Sequence, residues 1–258
     1  MSFTSDEELL TLAFDTATER RSVALVRGAR VLSTFANDAP DGGSANVLCD
    51  IERALEAASV GLDDVGLFAC ATGPGSFTGL RAGVATLKAL ALTLDKPAVG
   101  VQTLHALAHA ARPAGRLVSM IPAGRGEVFA QILSASGAGE IVEREPPTHL
   151  PPALLIEKVA RLGGAAKWAG GGAHKFIELI REGAGAKGFE FKIVEDEGCV
   201  EGERKWVIAP LPEALAVNVA ALGRAKFLGG GSEGASGLRA IYVRPSDAEL
   251  NEQCHARG

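Results

Sequence analysis

The stretch VGLFACATGPGSFTGLRAGVATLKALALTL, residues 65–94, sets a strand, a glycine-rich turn and a helix in direct succession. Residues 65–71 form an apolar run of strand length, which predicts a buried strand. Apolar positions then recur at helical spacing and predict a helix over Phe77–Leu94, which Lys96 and Pro97 end. Those positions are Leu80, Val84, Leu87, Ala91 and Leu94. A strand followed at once by such a helix favours an α/β fold.

The turn combines a proline, which restricts the backbone φ angle, with glycines, which permit a wider range of φ. Pro74 fixes one φ angle, Gly73 and Gly75 permit positive φ, and Ser76 is suited to cap the helix. A tight structural turn is the first interpretation. Amides exposed at the helix start could instead hold an anion, which is the second. The turn is not a Walker loop, because no Gly-Lys-Ser/Thr sequence follows it.

On both sides of this unit, the sequence predicts further strands and helices. Residues 9–14, 22–26 and 31–35 predict a β-meander with a tight turn at Gly28. A helix is predicted at 44–58 with Ser44 as its cap, a strand at 98–101 and a helix at 103–111. Three meander strands followed by helices and strands predict a mixed sheet with one antiparallel edge.

A second set of elements follows a junction at residues 112–115. Strands are predicted at 117–121 and 128–133, and helices at 152–161, around 176–180 and at 212–227. Because both halves can begin with a β-meander, a duplicated fold is a further expectation. The expected organisation is a first lobe at 1–112, a reduced second lobe at 113–228, and a Gly-rich linker with a tail at 229–258.

Composition narrows the function classes. The 258 residues carry a net charge of −5, which argues against a chain that grips phosphate backbones by itself. The four cysteines form no CxxC pair, so disulfides and structural zinc are not expected. No signal peptide pattern or uninterrupted apolar run of about 18 residues is visible. We expect a cytoplasmic protein without a membrane anchor.

Polar residues at the end of the first strand make a candidate nucleotide site. In Asp15-Thr16-Ala17-Thr18, a carboxylate, hydroxyls and amides could face a magnesium-bound phosphate. The candidate nucleotide-binding residues are therefore Asp15, Thr16 and Thr18. An Asx-type structural turn fits the same string equally well.

Two histidines, the serines and the cysteines are the side chains that could take part in catalysis. His105 and His109 lie at i and i+4, a spacing that can place both rings on one metal, but no glutamate stands between them and no third ligand is evident. No G-x-S-x-G elbow is present, and no serine or cysteine has an identifiable histidine base. The sequence therefore predicts no catalytic nucleophile, and a metal on the histidine pair stays open at this point.

Several motifs, in this order, resemble the TsaB family, formerly called YeaZ and once labelled glycoprotease-like. They are LAFDTAT (12–18), SVAL (22–25), TGPGSFTGLR (72–81) and GVQTL (100–104), with weaker matches at RGEVF (125–129) and YVRP (242–245). The resemblance implies an α/β fold of two actin-like, ribonuclease H-like lobes with mixed sheets flanked by helices, the second reduced. It also implies a non-catalytic scaffold in the complex that transfers threonylcarbamoyl to the tRNA adenosine next to the anticodon.

The resemblance further implies partners: a TsaD-like catalytic paralogue, a TsaE-like ATPase, a homodimer, and tRNA contacted mainly through the other subunits. Pairing would use the helices at 44–58 and 77–94, where small residues permit close approach. The predicted interface residues are Val47, Ile51, Gly79, Ala82, Gly83 and Thr86. No cofactor is expected for the chain itself, with ATP or ADP placed at the complex interface.

Departures from the family pattern bear on chemistry. The paralogue's metal-binding histidines would fall on Thr103 and Leu107, and His105 and His109 lie two residues later, turned by roughly 200°. The resemblance therefore implies that the chain binds no metal there. Pro122 stands where the family usually has an Asp, and Gly43 stands where it usually has a His. Two alternatives to the scaffold function remain. One is an ATP-hydrolysing enzyme that uses Asp15 and Thr16, and the other is the metalloprotease of the older label.

Overall fold

Two mixed β-sheets organise the chain in a computed structural model that describes residues 8–38, 47–194, 204–232 and 234–243. The first sheet contains β1 (Leu10–Asp15), β2 (Arg20–Arg27), β3 (Arg30–Asp38), β4 (Leu67–Gly73) and β5 (Ala98–Gln102). Its order is β3-β2-β1-β4-β5: the first three strands are antiparallel, and β4 and β5 run parallel to β1.

The second sheet repeats this topology. Its strands are β6 (Ala114–Gly124), β7 (Glu127–Ala135), β8 (Ile141–Glu143), β9 (Thr148–Leu150), β10 (Ala166–Ala169), β11 (Glu190–Ile193) and β12 (Lys205–Ile208). Antiparallel β8-β7-β6 is continued by parallel β10 and β12, with β11 added beyond β12 and β9 on β7. The expected duplication is confirmed, and so is the predicted α/β fold of two lobes with mixed sheets flanked by helices. Strands after β7 have only three or four residues, so the second lobe is built from shorter pieces.

Helices cover both faces of each sheet. They are α1 (Val47–Ala58), α2 (Phe77–Leu94), α3 (Thr103–Ala110), α4 (Pro152–Leu162), α5 (Gly171–Lys175), α6 (Ile177–Ala186), α7 (Leu215–Leu228) and α8 (Gly234–Gly237). The predicted bounds of α2 are confirmed, whereas the predicted cap Ser44 lies outside the described residues. The strands from β8 to β12 were not predicted.

Side-chain size alternates along β1 and β4, which decides what packs on each face of the first sheet. Large residues such as Leu12, Phe14 and Phe68 face α1 and α2 on the outer side. Alanines such as Ala13 and Ala69 line the inner side, where α7 crosses β1, β2 and β4. A strand surface of alanines lets a helix backbone approach closely, since little side-chain volume separates the two.

The helices that join the lobes exchange sheets. α3 follows the first sheet in sequence and packs on β6 and β7 as well as on β4 and β5, while α7 follows the second sheet and covers the first. The division predicted at residue 112 therefore separates the strands of the two sheets but not their helices. Because α3 and α7 also contact each other, they form the joint between the lobes.

Among the helices of the described residues, α2 is the one with the length and hydropathy of a bilayer-crossing segment. Its residues Leu80, Val84, Leu87 and Ala91 are buried against the first sheet. The opposite face of α2 is exposed, with Leu92 at 71%.

Candidate functional site at the first-lobe turn and the interlobe cleft

The Asp15 carboxylate lies inside its own turn. Its Oδ1 accepts a hydrogen bond from the Ala17 amide at 2.8 Å, and its Oδ2 accepts one from the Thr18 hydroxyl. The residue is fully buried, and burial raises the pKa of Asp15 to about 6, against the lowering effect of these hydrogen bonds. Of the two interpretations of this string, this geometry is that of the Asx-type turn.

Thr16 fastens this turn to α2. Its hydroxyl donates to the Gly79 carbonyl at 2.7 Å, a bond buried in the interior. A Cβ atom on Gly79 would overlap the Thr16 carbonyl oxygen, and one on Gly83 would overlap the Thr16 hydroxyl. Both glycines are therefore required by a contact within this chain.

The glycine-rich turn before α2 is closed by hydrogen bonds to its own chain. The cap predicted at Ser76 is present: its Oγ accepts from the Gly79 amide at 3.3 Å. The Ser76 amide donates to the Ala17 carbonyl at 2.8 Å, and the Gly73 amide donates to Thr103 Oγ1 at 3.1 Å. Because these three amides already donate hydrogen bonds to oxygen atoms of the protein, the geometry favours a structural turn over an anion-binding site.

The segment after the Gly-rich linker returns to the same region. Leu238 is fully buried in the outer core of the first lobe, and the Ile241 amide donates to the Thr72 carbonyl at 2.7 Å. Tyr242 packs its ring 5.5 Å from that of Phe77, and the Arg81 guanidinium lies 3.8 Å from the centre of the Phe77 ring. Sequence reasoning treated residues 229–258 as linker and tail, and missed that part of this tail builds the first lobe.

A cleft of about 790 Å³ lies between the lobes at the carboxyl ends of their strands. Thr18, Glu19 and Arg20 line its polar side, and the apolar side includes Leu107, Ile121, Pro122, Leu211 and Leu215. Of the three candidate nucleotide-binding residues, only Thr18 belongs to this lining. Sequence reasoning missed Glu19 and Arg20, whose only signal was their place directly after the polar turn.

Four of the six predicted interface residues are buried within the monomer, so the predicted interface needs correction. Val47 and Ile51 lie in the core of the first lobe, and Gly79 and Gly83 are covered by Thr16. These four offer no surface to another chain, because the monomer itself has filled the space beside them.

Only Ala82 and Thr86 of the predicted set are partly exposed. The exposed apolar and basic side chains on this side of the lobe are others: Leu48 at 58%, Leu92 at 71%, Phe77, Arg81 and Tyr242.

The two histidines of α3 make separate contacts. His105 Nε2 lies 3.0 Å from Glu143 Oε1, and His109 Nδ1 lies 2.8 Å from Asn218 Oδ1. Burial lowers the pKa of His105, against the opposing effect of Glu143. Within the described part of the chain, no group of three His, Cys, Asp or Glu side chains is placed to hold a metal ion.

Comparisons with known proteins agree on one relationship. The profile of the family described as TsaD, tRNA N6-adenosine threonylcarbamoyltransferase, matches residues 43–143. The tRNA threonylcarbamoyladenosine biosynthesis protein TsaB of Escherichia coli (strain K12) is 32% identical over 174 residues, 66% of this chain and 75% of that protein. TsaB of Bacillus subtilis (strain 168) is 27% identical over 69% of this chain and 78% of its own length.

The fold is shared with a crystal structure from Pseudomonas aeruginosa of an uncharacterized protein with similarity to peptidase YEAZ. The TM-score is 0.71 at 24% identity, covering 92% of this chain and 100% of that one. On the sequence identity and coverage of the Escherichia coli relative, the chain belongs to the TsaB family of tRNA threonylcarbamoyladenosine biosynthesis proteins.

Proposed function

We propose that this protein is a non-catalytic scaffold subunit of the assembly that places threonylcarbamoyl on the tRNA adenosine next to the anticodon. The observation that carries the proposal is the engagement of Asp15 and Thr16. The carboxylate is enclosed by Ala17 and Thr18, and the Thr16 hydroxyl is bonded to α2. The Thr16 side chain therefore joins the first hairpin to α2, the Asp15 carboxylate closes its own turn, and neither lines the cleft.

The partner in this proposal is a TsaD-like subunit. Support comes from the match of residues 43–143, which include α1, α2 and β4, to the TsaD family profile. Two chains with related first lobes carry related surfaces, and related surfaces can pack about a local two-fold axis. The same argument supports a homodimer in the absence of the paralogue.

The docking surface we propose is the exposed outer side of the first lobe. Leu92 and Leu48 are apolar side chains left in solvent, and Phe77, Tyr242 and Arg81 form a stacked group beside them. Aromatic and arginine side chains are the types enriched at protein interfaces. The net charge of −5 supports contact with tRNA mainly through the partner subunits. The proposed assembly also includes a TsaE-like subunit.

The test is reconstitution of tRNA modification from purified subunits, with and without this chain. Leu92→Glu should abolish both co-elution with the TsaD-like protein and tRNA modification. Leu154→Glu places the same charge on α4, where Leu154 is 54% exposed, and should leave both intact. The proposal fails if modification is equally fast without the chain, or if Leu92→Glu behaves like its control.

A nucleotide site in the cleft is the second candidate, favoured by the volume of about 790 Å³ and by Thr18 and Glu19 on its wall. It would hold ATP or ADP, either in this chain alone or in the assembled complex. An intrinsic hydrolase with its site in this cleft would show ATP turnover by the purified chain, and Glu19→Ala, which removes the carboxylate from the wall, would abolish it. The scaffold proposal expects no turnover from the chain alone.

A further inference from the structure

A second cavity, of about 490 Å³, lies in the second lobe on the side opposite the cleft. Its wall includes residues 114–116 at the start of β6 and Ala166 at the start of β10. The cleft instead includes Ile121 and Pro122 near the end of β6. Because β6 and β10 are parallel, their starts share one sheet edge and their ends the other, so the two cavities are separate.

Arg116 is fixed in this cavity by one end of its side chain. Its Nη1 donates to the carbonyl oxygens of Gly163 and Ala165, just beyond the last turn of α4. A cation is stabilised there by the carbonyl end of the helix. Only Nη1 takes part, so Nε and Nη2 have no acceptor within the part of the chain described here.

Arg144 approaches the same cavity from the other side. Its Nε donates to Ser134 Oγ at 3.1 Å, and both of its terminal nitrogens lack an acceptor among the described residues. Among the described residues, Glu145 is the one carboxylate in the wall, and it is paired with Lys158 from outside the lining. Arg116 and Arg144 therefore give the wall an excess of positive charge in a protein whose net charge is −5.

We propose that this cavity binds a phosphate group between Arg116 and Arg144. Each guanidinium presents unpaired N–H groups, and the planar fork of arginine matches the oxygens of a phosphate. The volume exceeds that of a phosphate alone, and the apolar wall of Ile132 and Leu162 suits the organic part of a phosphate ester. The phosphate comes either from a free mononucleotide or from the backbone of an RNA strand.

Gly115 provides a sharp test of this site. It lies in the cavity wall, has no described atom within 4 Å of the place a Cβ would occupy, and does not need a positive φ. Gly115→Asp therefore adds a carboxylate at the cavity wall without a steric clash, and Gly115→Ala is its uncharged control. Arg144→Gln removes one guanidinium, and Arg161→Gln removes an exposed one from α4 that lies outside the lining.

Isothermal titration at low salt with inorganic phosphate, AMP and a short unstructured RNA measures binding to the full chain. Gly115→Asp and Arg144→Gln should weaken binding about tenfold or more, while Gly115→Ala and Arg161→Gln leave it unchanged. AMP binding with this pattern identifies a free phosphate ester as the ligand. Binding of RNA alone, with steep salt dependence, identifies a strand.

Two results would overturn the inference. One is that none of the three probes binds the wild-type chain. The other is that Arg161→Gln weakens binding as much as Arg144→Gln. The loss of affinity would then follow from the change in net charge and not from the cavity. A thermal melt of each variant checks folding, and the exposed Arg144 can be changed with little risk to the core, so a failure of Gly115→Asp to fold leaves the question answerable.

Discussion

The turns that open the two sheets occupy equivalent places in the duplicated topology, but they are held in different ways. The β1–β2 turn is fixed from outside by α2, through Thr16, Gly79 and Gly83. The β6–β7 turn is a two-residue loop, Arg125-Gly126, with φ of 49° and 79°. No described atom lies within 4 Å of the Cβ position of Gly126, so the space beside this glycine is open, unlike that beside Gly79 and Gly83.

This difference shows where each lobe tolerates change. The first turn cannot be reshaped around a ligand without moving α2, which carries the proposed docking surface. At Gly126 the second turn has room for a larger side chain. Four substitutions test the comparison.

Gly79→Ala should have the largest effect. The new Cβ meets the Thr16 carbonyl oxygen, a backbone atom that cannot rotate away. Overpacking of this kind should lower the free energy of unfolding by about 3 kcal/mol or more, as measured by urea denaturation. Gly185→Ala in α6 is the control: its surroundings are open, and better helix propensity should stabilise the protein by about 0.5 kcal/mol. Equal stability of the two variants would contradict the close contact.

Asp15→Asn should change the pH dependence of stability. Burial raises the pKa of Asp15 from 3.8 to about 6. The protonated form is favoured by folding, so its contribution is fully present below pH 4 and is lost as pH rises through 6. Relative to the variant, wild type should lose up to about 3 kcal/mol between pH 4 and pH 7, measured by urea denaturation at both pH values. An unchanged difference at the two pH values would place the carboxylate in water.

Thr16→Val should remove the hydrogen bond to the Gly79 carbonyl while keeping the side-chain shape. We expect a loss of about 1–2 kcal/mol in thermal or urea unfolding, because the carbonyl is left buried without its donor. Thr11→Val is the matched control, since the buried Thr11 hydroxyl has no hydrogen-bond partner among the described residues. That change should be neutral or stabilising. If both variants lose the same stability, the Thr16 bond is not what fastens the turn.

Gly126→Ala should have the smallest effect of the four. Its cost is the strain of positive φ alone, about 1 kcal/mol, because the space around it is open. Gly137→Ala, also open but without a positive φ, should change the melting temperature very little. A loss at Gly126 as large as that at Gly79 would mean that the second turn is also fixed by tertiary contacts.

The features that sequence predicted are those with a local physical cause. Leucines and alanines at helical spacing set the bounds of α2, Ser76 supplied the cap, and apolar runs located β1 to β7. β10, β11 and β12 have four residues each, too few to display a period, and they form strands because of their neighbours in the sheet. The tail near Ile241 and Tyr242 carried no local signal for its packing on α2 and β4.

The sequence by itself determined that β1 has a large-residue face and a small-residue face, that a capped helix follows β4, and that Gly79 and Gly83 need something close beside them. Tertiary structure alone decided what that neighbour is. A glycine in a helix indicates that another group packs closely beside it, but not whether that group belongs to the same chain. Here the group is Thr16 of the same chain. In the same way, Asp15 and Thr18 could serve a ligand or their own turn, and only the burial created by the packed lobes settled where the carboxylate lies.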